Sequence, residues 1–301
     1  MSGARDRIAA IDVGSNTVLL TVAEYDPEVG LVVIDEGQDQ PRLGAGLSAT
    51  GRLSDEAMQR AIASLTRMRD TCRRHGVQRV AAVATAAVRE AGNGAEFVTR
   101  VRALDIPLRV ISPEIEAALS YRSAAHHFPG AERMLVADIG GGSLELVGAT
   151  DGRVKLSRSL PLGAVRLTER GLPLAELQNQ IRRELQRALP APEWAGSTVI
   201  GSGGTFTTLA SMALARRGSP TGSVHGVVVT SAEVKELMLW LDSLVPQQRR
   251  EVSGLRPERA DIIVAGLAVA SQLLEAVRVE GVTVSGFGLR DGLLLEMVGT
   301  V

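Results

Sequence analysis

The chain has 301 residues, 45% hydrophobic but only 3% aromatic, and its 33 basic and 34 acidic residues leave a formal net charge of −1. At about 150 residues per domain this length predicts two domains, each able to bury a core without staples. Near-neutral charge and few aromatics exclude a general nucleic-acid binder, and a lone Cys72 excludes an intrachain disulfide or a cysteine zinc site.

A single cysteine fits a reduced, cytoplasmic setting. Met1–Arg7 is polar and lacks the apolar core of a secretory signal. No apolar run approaches the roughly 18 residues that span a bilayer, so no membrane partner is expected. All basic residues but Lys155 and Lys235 are arginine. Genome base composition is the plain cause. A phosphate-rich ligand is the chemical one, because a guanidinium grips phosphate oxygens with a bidentate fork.

In chain order, Ile8–Val13 reads as a buried strand, followed by strands Thr17–Glu24 and Leu31–Ile34 in an antiparallel meander. A helix follows over Asp55–His75, capped by Ser54 and ended by Gly76. Met58, Ala61, Ile62, Leu65, Met68 and Cys72 share one face, which makes Cys72 a core residue. Val80–Thr85 and Leu108–Ile111 are strands, and Ile115–His127 is a helix. The opening pattern then recurs. Met134–Ile139 is an apolar strand with Asp138 near its end, a Gly140-Gly141-Gly142-Ser143 turn follows, and a strand begins at Leu144. Next come a helix Pro173–Leu189, a strand Thr198–Ile200, the turn Gly201-Ser202-Gly203-Gly204 and a helix Thr205–Arg216. Thr230 and Glu233 form a capping box for a helix reaching Leu244. The chain closes with a long helix Arg259–Val277, a strand Val282–Ser285 and a short helix Leu289–Val298. Alternating strands and helices define an α/β class. The repeated strand–Asp–Gly-turn unit predicts two related halves with a cleft between them.

Three Gly-rich turns leave strands: Val13-Gly14-Ser15-Asn16, Gly140-Gly141-Gly142-Ser143 and Gly201-Ser202-Gly203-Gly204. Glycine permits positive φ and close approach, and successive N–H groups in such turns cradle anions. Ser15, Asn16, Ser143 and Thr205 add side-chain donors. A tight hairpin is the plain reading of any one turn; three turns in a repeated frame favour phosphate. None fits the Walker or dinucleotide fingerprints. Asp12 and Asp138 flank the cradles, and a carboxylate beside a bound phosphate has to meet a cation. Mg²⁺ suits hard oxygen ligands. Alternatively these side chains accept N–H bonds from their own turns. His75, His126, His127 and His225 lack metal-ligand spacing, and Trp194 and Trp240 read as packing residues. Arg182-Arg183-Glu184-Leu185-Gln186-Arg187 reads as a solvated helix face, with a polyphosphate-binding stripe as the alternative.

Ile11-Asp12-Val13-Gly14-Ser15-Asn16-Thr17 together with Asp138-Ile139-Gly140-Gly141-Gly142-Ser143-Leu144-Glu145-Leu146 resembles the exopolyphosphatase / guanosine-pentaphosphate phosphohydrolase family of the actin–hexokinase–Hsp70 superfamily. Thr85–Ala91 with Arg89, Leu160–Thr168, Gly201–Thr205, Arg259-Ala260-Asp261 with Gly266, and Leu289-Arg290-Asp291-Gly292 are similar to further signatures, so the resemblance covers essentially the whole chain. It implies two actin-like (ribonuclease H-like) lobes with a central cleft: 1–129 plus 288–301, and 130–287, with crossings near Pro129 and Phe287. It also implies a catalytic base at Glu116 in Ile111-Ser112-Pro113-Glu114-Ile115-Glu116. The usual pattern has two adjacent glutamates, and here Glu114 could share or replace that role. Arg89 would hold the reacting phosphate. Gly14, Ser15, Asn16, Gly140, Gly141, Gly142, Ser143, Gly203, Gly204 and Thr205 would bind phosphate. Mg²⁺ or Mn²⁺ would sit near Asp138, Glu145 and Asp12. The implied substrate is inorganic polyphosphate, or guanosine pentaphosphate by the same chemistry. A kinase on the same fold and a non-catalytic alarmone or polyphosphate sensor are the competing classes. The chain stops soon after Gly292, without the C-terminal helical region of longer members, which implies short polyphosphates or nucleotides. Members often pair as homodimers.

Overall fold

The computed structural model describes residues 6–219 and 222–299. The reading of the N-terminal segment lies outside the described residues up to residue 5. The described chain forms two compact units, one running to Ser123 and resuming at Leu289, the other spanning Ala124–Gly288.

The first unit is built on a five-stranded sheet. Its strands are β1 (Asp6–Val13), β2 (Val18–Asp26), β3 (Gly30–Asp39), β4 (Arg79–Ala84) and β5 (Leu108–Val110), in the order β3-β2-β1-β4-β5. β1 pairs antiparallel with β2 and parallel with β4. Its central position explains its composition: Ile8, Ala9, Ala10, Ile11 and Val13 are all fully buried, as expected of a strand covered on both faces. The helices here are α1 (Leu47–Thr50), α2 (Asp55–Arg74), α3 (Ala86–Glu90), α4 (Gly94–Arg102) and α5 (Pro113–His127). Alternate residues of β1 serve different layers. Ala9, Ile11 and Val13 meet Met58, Ala61 and Leu65 of α2 and Phe97 of α4. Ile8 and Ala10 face Leu119 of α5. Ser54 caps α2 by accepting from the Ala57 N–H, and Gly76 ends it at φ +64. Cys72 is buried, and loss of water pushes its thiol up to about 11, so it is unreactive packing.

The second unit repeats this order. β6 (Arg133–Ile139), β7 (Leu144–Thr150), β8 (Arg153–Leu160), β9 (Thr198–Ser202), β10 (Val228–Thr230) and β11 (Gly281–Val284) run β8-β7-β6-β9-β11-β10. Three antiparallel strands lead into parallel ones, as in the first sheet, with β10 added at the edge. The helices are α6 (Ala164–Thr168), α7 (Leu174–Ala188), α8 (Gly203–Arg216), α9 (Ser231–Ser243), α10 (Pro246–Arg249) and α11 (Ile263–Ala276). Thr230 and Glu233 form the capping box of α9. α12 (Leu289–Met297) returns to the first unit, where Leu289, Leu293 and Leu294 join the layer beneath β1. Gly292 allows this approach, since a methyl there would overlap the Leu119 backbone.

Several sequence expectations need correction. β8, β10, α1, α3, α4, α6 and α10 have no counterpart in the sequence expectations. The helix expected from Arg259 begins at Ile263, after a 3-10 turn over Pro257–Arg259. Gly201 and Ser202 are not a turn: they continue β9 beside Ala137 and Asp138. The chain turns at Gly203 instead, at φ +83, and enters α8 directly. Trp194 is core, 3% exposed, its ring filling the space a side chain at Gly148 would need. Trp240 is not a buried packing residue; it is 41% exposed, with Arg216 over its ring. Among the described residues no helix is long and apolar enough to cross a membrane.

Candidate active site

Each sheet ends β-strand one in a four-residue hairpin of the same form. Gly14 N–H donates to Thr17 O at 2.9 Å, and Gly140 N–H to Ser143 O at 3.0 Å. The hairpin reading is therefore correct as local geometry, and it is compatible with an anion cradle. Neither Gly14 nor Gly140 takes a positive φ. A Cβ at Gly14 would lie 3.2 Å from Thr17 O, a tight contact, whereas one at Gly140 would lie 3.6 Å from Ser143 O, an ordinary one.

In the first unit, Ser15 and Asn16 are 6% and 5% exposed. Among the described residues, neither the Nδ2 nor the Oδ1 of Asn16 has a hydrogen-bond partner. An orphaned buried amide costs about 1–3 kcal/mol, a cost that a bound polar group would relieve. β4 and β5 deliver the next groups to the same sheet edge. Thr85 N–H donates to Val13 O and Ile111 N–H to Ala84 O. α3 follows Thr85 and carries Arg89 on a short helix. Pro113 opens α5 after Ser112, a favourable first-turn position for proline, and Glu116 follows in that turn. Arg89 Nη1 donates to Glu116 Oε2 and to Ile111 O, each at 2.9 Å. Glu116 is only 7% exposed. Arg89 Nε and Nη2 make no hydrogen bond to the described residues.

Glu114 sits differently. It is exposed, and a hydrogen bond from Ser112, with help from its own backbone and the Arg89 charge, holds its carboxyl below the usual range. Glu114 serves the start of α5, whereas Glu116 is buried against a cation. Asp12 belongs to the first unit and lies opposite Leu19 across β1–β2. Its charge helps to offset the burial that lowers the Arg290 pKa, as do Glu36 and Asp291.

In the second unit, Asp138 lies opposite Glu145 across β6–β7 and level with Ser202 on β9. Ser202 Oγ donates to Asp138 Oδ2 and Ser159 Oγ to Glu145 Oε1, both at 2.9 Å. Glu145 is 3% exposed. The two sheets thus differ: Asp138 is faced by a carboxylate, Asp12 by a leucine. Among the described residues no three His, Cys, Asp or Glu side chains converge as a metal cage.

The N-terminus of α8 holds Gly203, Gly204 and Thr205, and sequence reasoning missed its neighbour. The Arg259 guanidinium lies against Gly204, where a methyl group would overlap it. Burial, with repulsion from Arg256 and partial relief from Glu258, pushes its pKa down to about 10, so it remains charged at neutral pH. A desolvated cation beside a helix N-terminus is an arrangement suited to an anion. Arg259→Met should weaken orthophosphate binding about tenfold and leave thermal stability unchanged or raised, because a buried charge only partly offset by Glu258 is removed. Calorimetric binding and a thermal melt check both.

Three of the histidines are gathered rather than scattered. His127 stacks on Phe287 with ring centroids 3.9 Å apart, and His225 meets both rings edge-on. His126 and Phe128 complete the group. The next glycine, Gly288, borders the Asp138 carboxylate. His75 is separate, 2.8 Å from Asp35. The arginines of α7 are solvated as expected: Arg187 pairs with Glu184, and Arg182 reaches Gln272.

Paired glycine hairpins, strand-end carboxylates and a buried Glu–Arg pair define a phosphate-handling α/β protein. The chain matches the Ppx/GppA phosphatase family over residues 21–301, and it belongs to that family. Exopolyphosphatase 2 of Mycobacterium tuberculosis is 32% identical, over 97% of this chain and 99% of that one. The guanosine-5'-triphosphate,3'-diphosphate pyrophosphatase of Vibrio cholerae is also 32% identical, over 96% of this chain but 59% of its own length. Among solved structures, the Ppx/GppA family member of Aquifex aeolicus is 31% identical with a TM-score of 0.82, covering 97% of both chains. An exopolyphosphatase from Cytophaga hutchinsonii is 25% identical with a TM-score of 0.90, covering 98% and 99%.

Proposed function

We propose that this protein is an exopolyphosphatase that releases orthophosphate from the end of inorganic polyphosphate by attack of water. The observation that carries the proposal is the buried Glu116–Arg89 pair, set at the same strand ends as the Gly14–Asn16 hairpin. Glu116 accepts a proton from water as the water oxygen bonds to the terminal phosphorus. The bond from that phosphorus to the bridging oxygen breaks, and the shortened chain leaves with that oxygen. Arg89 and the N–H groups of the Gly14–Asn16 hairpin hold the charge on the phosphoryl oxygens.

The donor set fits magnesium or manganese. Asp138 and Glu145 are adjacent hard-oxygen carboxylates, and magnesium uses one or two of these with water and substrate phosphate rather than a full protein cage. Bound there, the ion would neutralise charge on the phosphates. Chelation should therefore stop phosphate release, and added Mg²⁺ or Mn²⁺ should restore it. Full activity after exhaustive chelation would remove the metal from the proposal.

Guanosine pentaphosphate is the second reading, supported by the Vibrio relative at equal identity. Phosphate release from short polyphosphate, long polyphosphate and guanosine pentaphosphate, compared as kcat/KM, tests the choice. Polyphosphate should be preferred; release from guanosine pentaphosphate alone would reverse it. A cytoplasmic homodimer belongs to the same proposal. The lone buried thiol supports the compartment, and the family resemblance supports the dimer.

A further inference from the structure

The two phosphate hairpins share a second layer that neither hairpin sequence reveals. In each unit the chain leaves the third strand of the meander and passes through Leu-Gly-Ala: Leu43-Gly44-Ala45 after β3, and Leu162-Gly163-Ala164 after β8. Both leucines are fully buried. Both glycines touch the hairpin. A methyl on Gly163 would overlap the backbone of Gly141 and Gly142, and one on Gly44 would lie 2.9 Å from Ser15 Cβ.

These segments take up the hairpin carbonyls. In the first unit, Gly44 N–H donates to Ser15 O at 2.8 Å and Arg42 N–H to Asn16 O at 3.1 Å. In the second, Ala164 N–H donates to Gly140 O at 2.9 Å. Val165 and Arg166 N–H donate to Gly141 O at 3.0 and 3.1 Å. The third carbonyl, Gly142 O, accepts instead from the Arg166 side chain, Nε, at 2.8 Å. Aligned on Asp12 and Asp138, the same two hairpin carbonyls are held in both units. The Arg166 side chain does for Gly142 what the Arg42 backbone does for Asn16.

In a trans peptide, C=O and N–H point in opposite directions. Fixing the carbonyls of Gly140, Gly141 and Gly142 on one side therefore turns the N–H groups of Gly141, Gly142 and Ser143 to the other. Those three N–H groups make no hydrogen bond to the described residues. We infer that the repeated Leu-Gly-Ala turns set the phosphate-binding faces of both hairpins, and that Arg166 is a positioning residue, acting through Gly142 O to aim Ser143 N–H. This rests on the reading of the hairpins as phosphate sites.

Two substitutions separate position from charge. Glutamine carries a donor nitrogen at the same bond distance from Cα as arginine Nε, and methionine has similar length without a donor. Arg166→Met should lower kcat and weaken orthophosphate binding about tenfold, less than the roughly 10²–10³ for outright loss of a preorganised donor, because Ser143 N–H is displaced rather than removed. Arg166→Gln should restore both to within a few-fold of the parent. The pH profile should not move, because Glu116 is untouched. Equal loss in both variants would assign Arg166 a direct charge on substrate and overturn the inference, as would a normal Arg166→Met. Orthophosphate binding by calorimetry is read independently of turnover, so loss of the exopolyphosphatase reading alone leaves this test intact. Gly163→Ala should abolish orthophosphate binding if it folds; retained binding would also overturn the inference.

Discussion

Glu116→Gln should lower phosphate release by a factor of about 10²–10⁴, the usual contribution of a general base, with polyphosphate still bound. Gln keeps the shape and an acceptor oxygen for Arg89 Nη1, so the site should stay assembled. What disappears is the ability to take a proton from water. A change confined to kcat assigns Glu116 to the transition state. The same substitution at Glu114 should change little, since that carboxylate is exposed and serves the start of α5. Steady-state kinetics and equilibrium binding of short polyphosphate check both. Unchanged turnover in Glu116→Gln would remove it as the base.

Arg89→Met should be comparably damaging, and for two reasons. The guanidinium supplies charge to the phosphoryl oxygens, and a lost preorganised donor of this kind costs about 10²–10³ in kcat. It also partners Glu116, whose side chain is 10% exposed against 19% for Arg89. Breaking a pair this buried costs about 3 kcal/mol of stability. Thermal unfolding should therefore fall along with activity. Arg89→Lys should recover part of the charge, since one nitrogen makes both bonds to Ile111 O and Glu116, but not the further guanidinium donors Nε and Nη2. In the double variant with Glu116→Gln the losses should not add, because the two residues act as a unit. Additive losses would show that they act separately.

The central strands were legible because burial on both faces demands unbroken apolar runs, and Ile8–Val13 and Met134–Ile139 supply them. The repeat of Asp12 and Asp138 carried the two-sheet architecture. Edge elements were not legible. β8 buries only Leu156 and Leu160 among exposed and half-buried residues, and β10 has three residues. Gly201-Ser202 misread as a turn because composition marks glycine as a breaker, whereas ladder pairing to β6 and β11 keeps it extended. Resemblance placed Glu116 and Arg89, but their pairing is a tertiary fact. Arg259 was hidden for the same reason: its role depends on Gly204, and nothing local joins the two. The Leu-Gly-Ala repeat is visible in the sequence once the hydrogen bonds give it a meaning.

The most direct test of the account is hydrolysis of a defined short polyphosphate in ¹⁸O-labelled water, with the released phosphate analysed by mass. Water attack at the terminal phosphorus predicts one solvent oxygen in each orthophosphate, and a chain that shortens by one unit per turnover. Release of longer fragments, or orthophosphate without solvent oxygen, would contradict it.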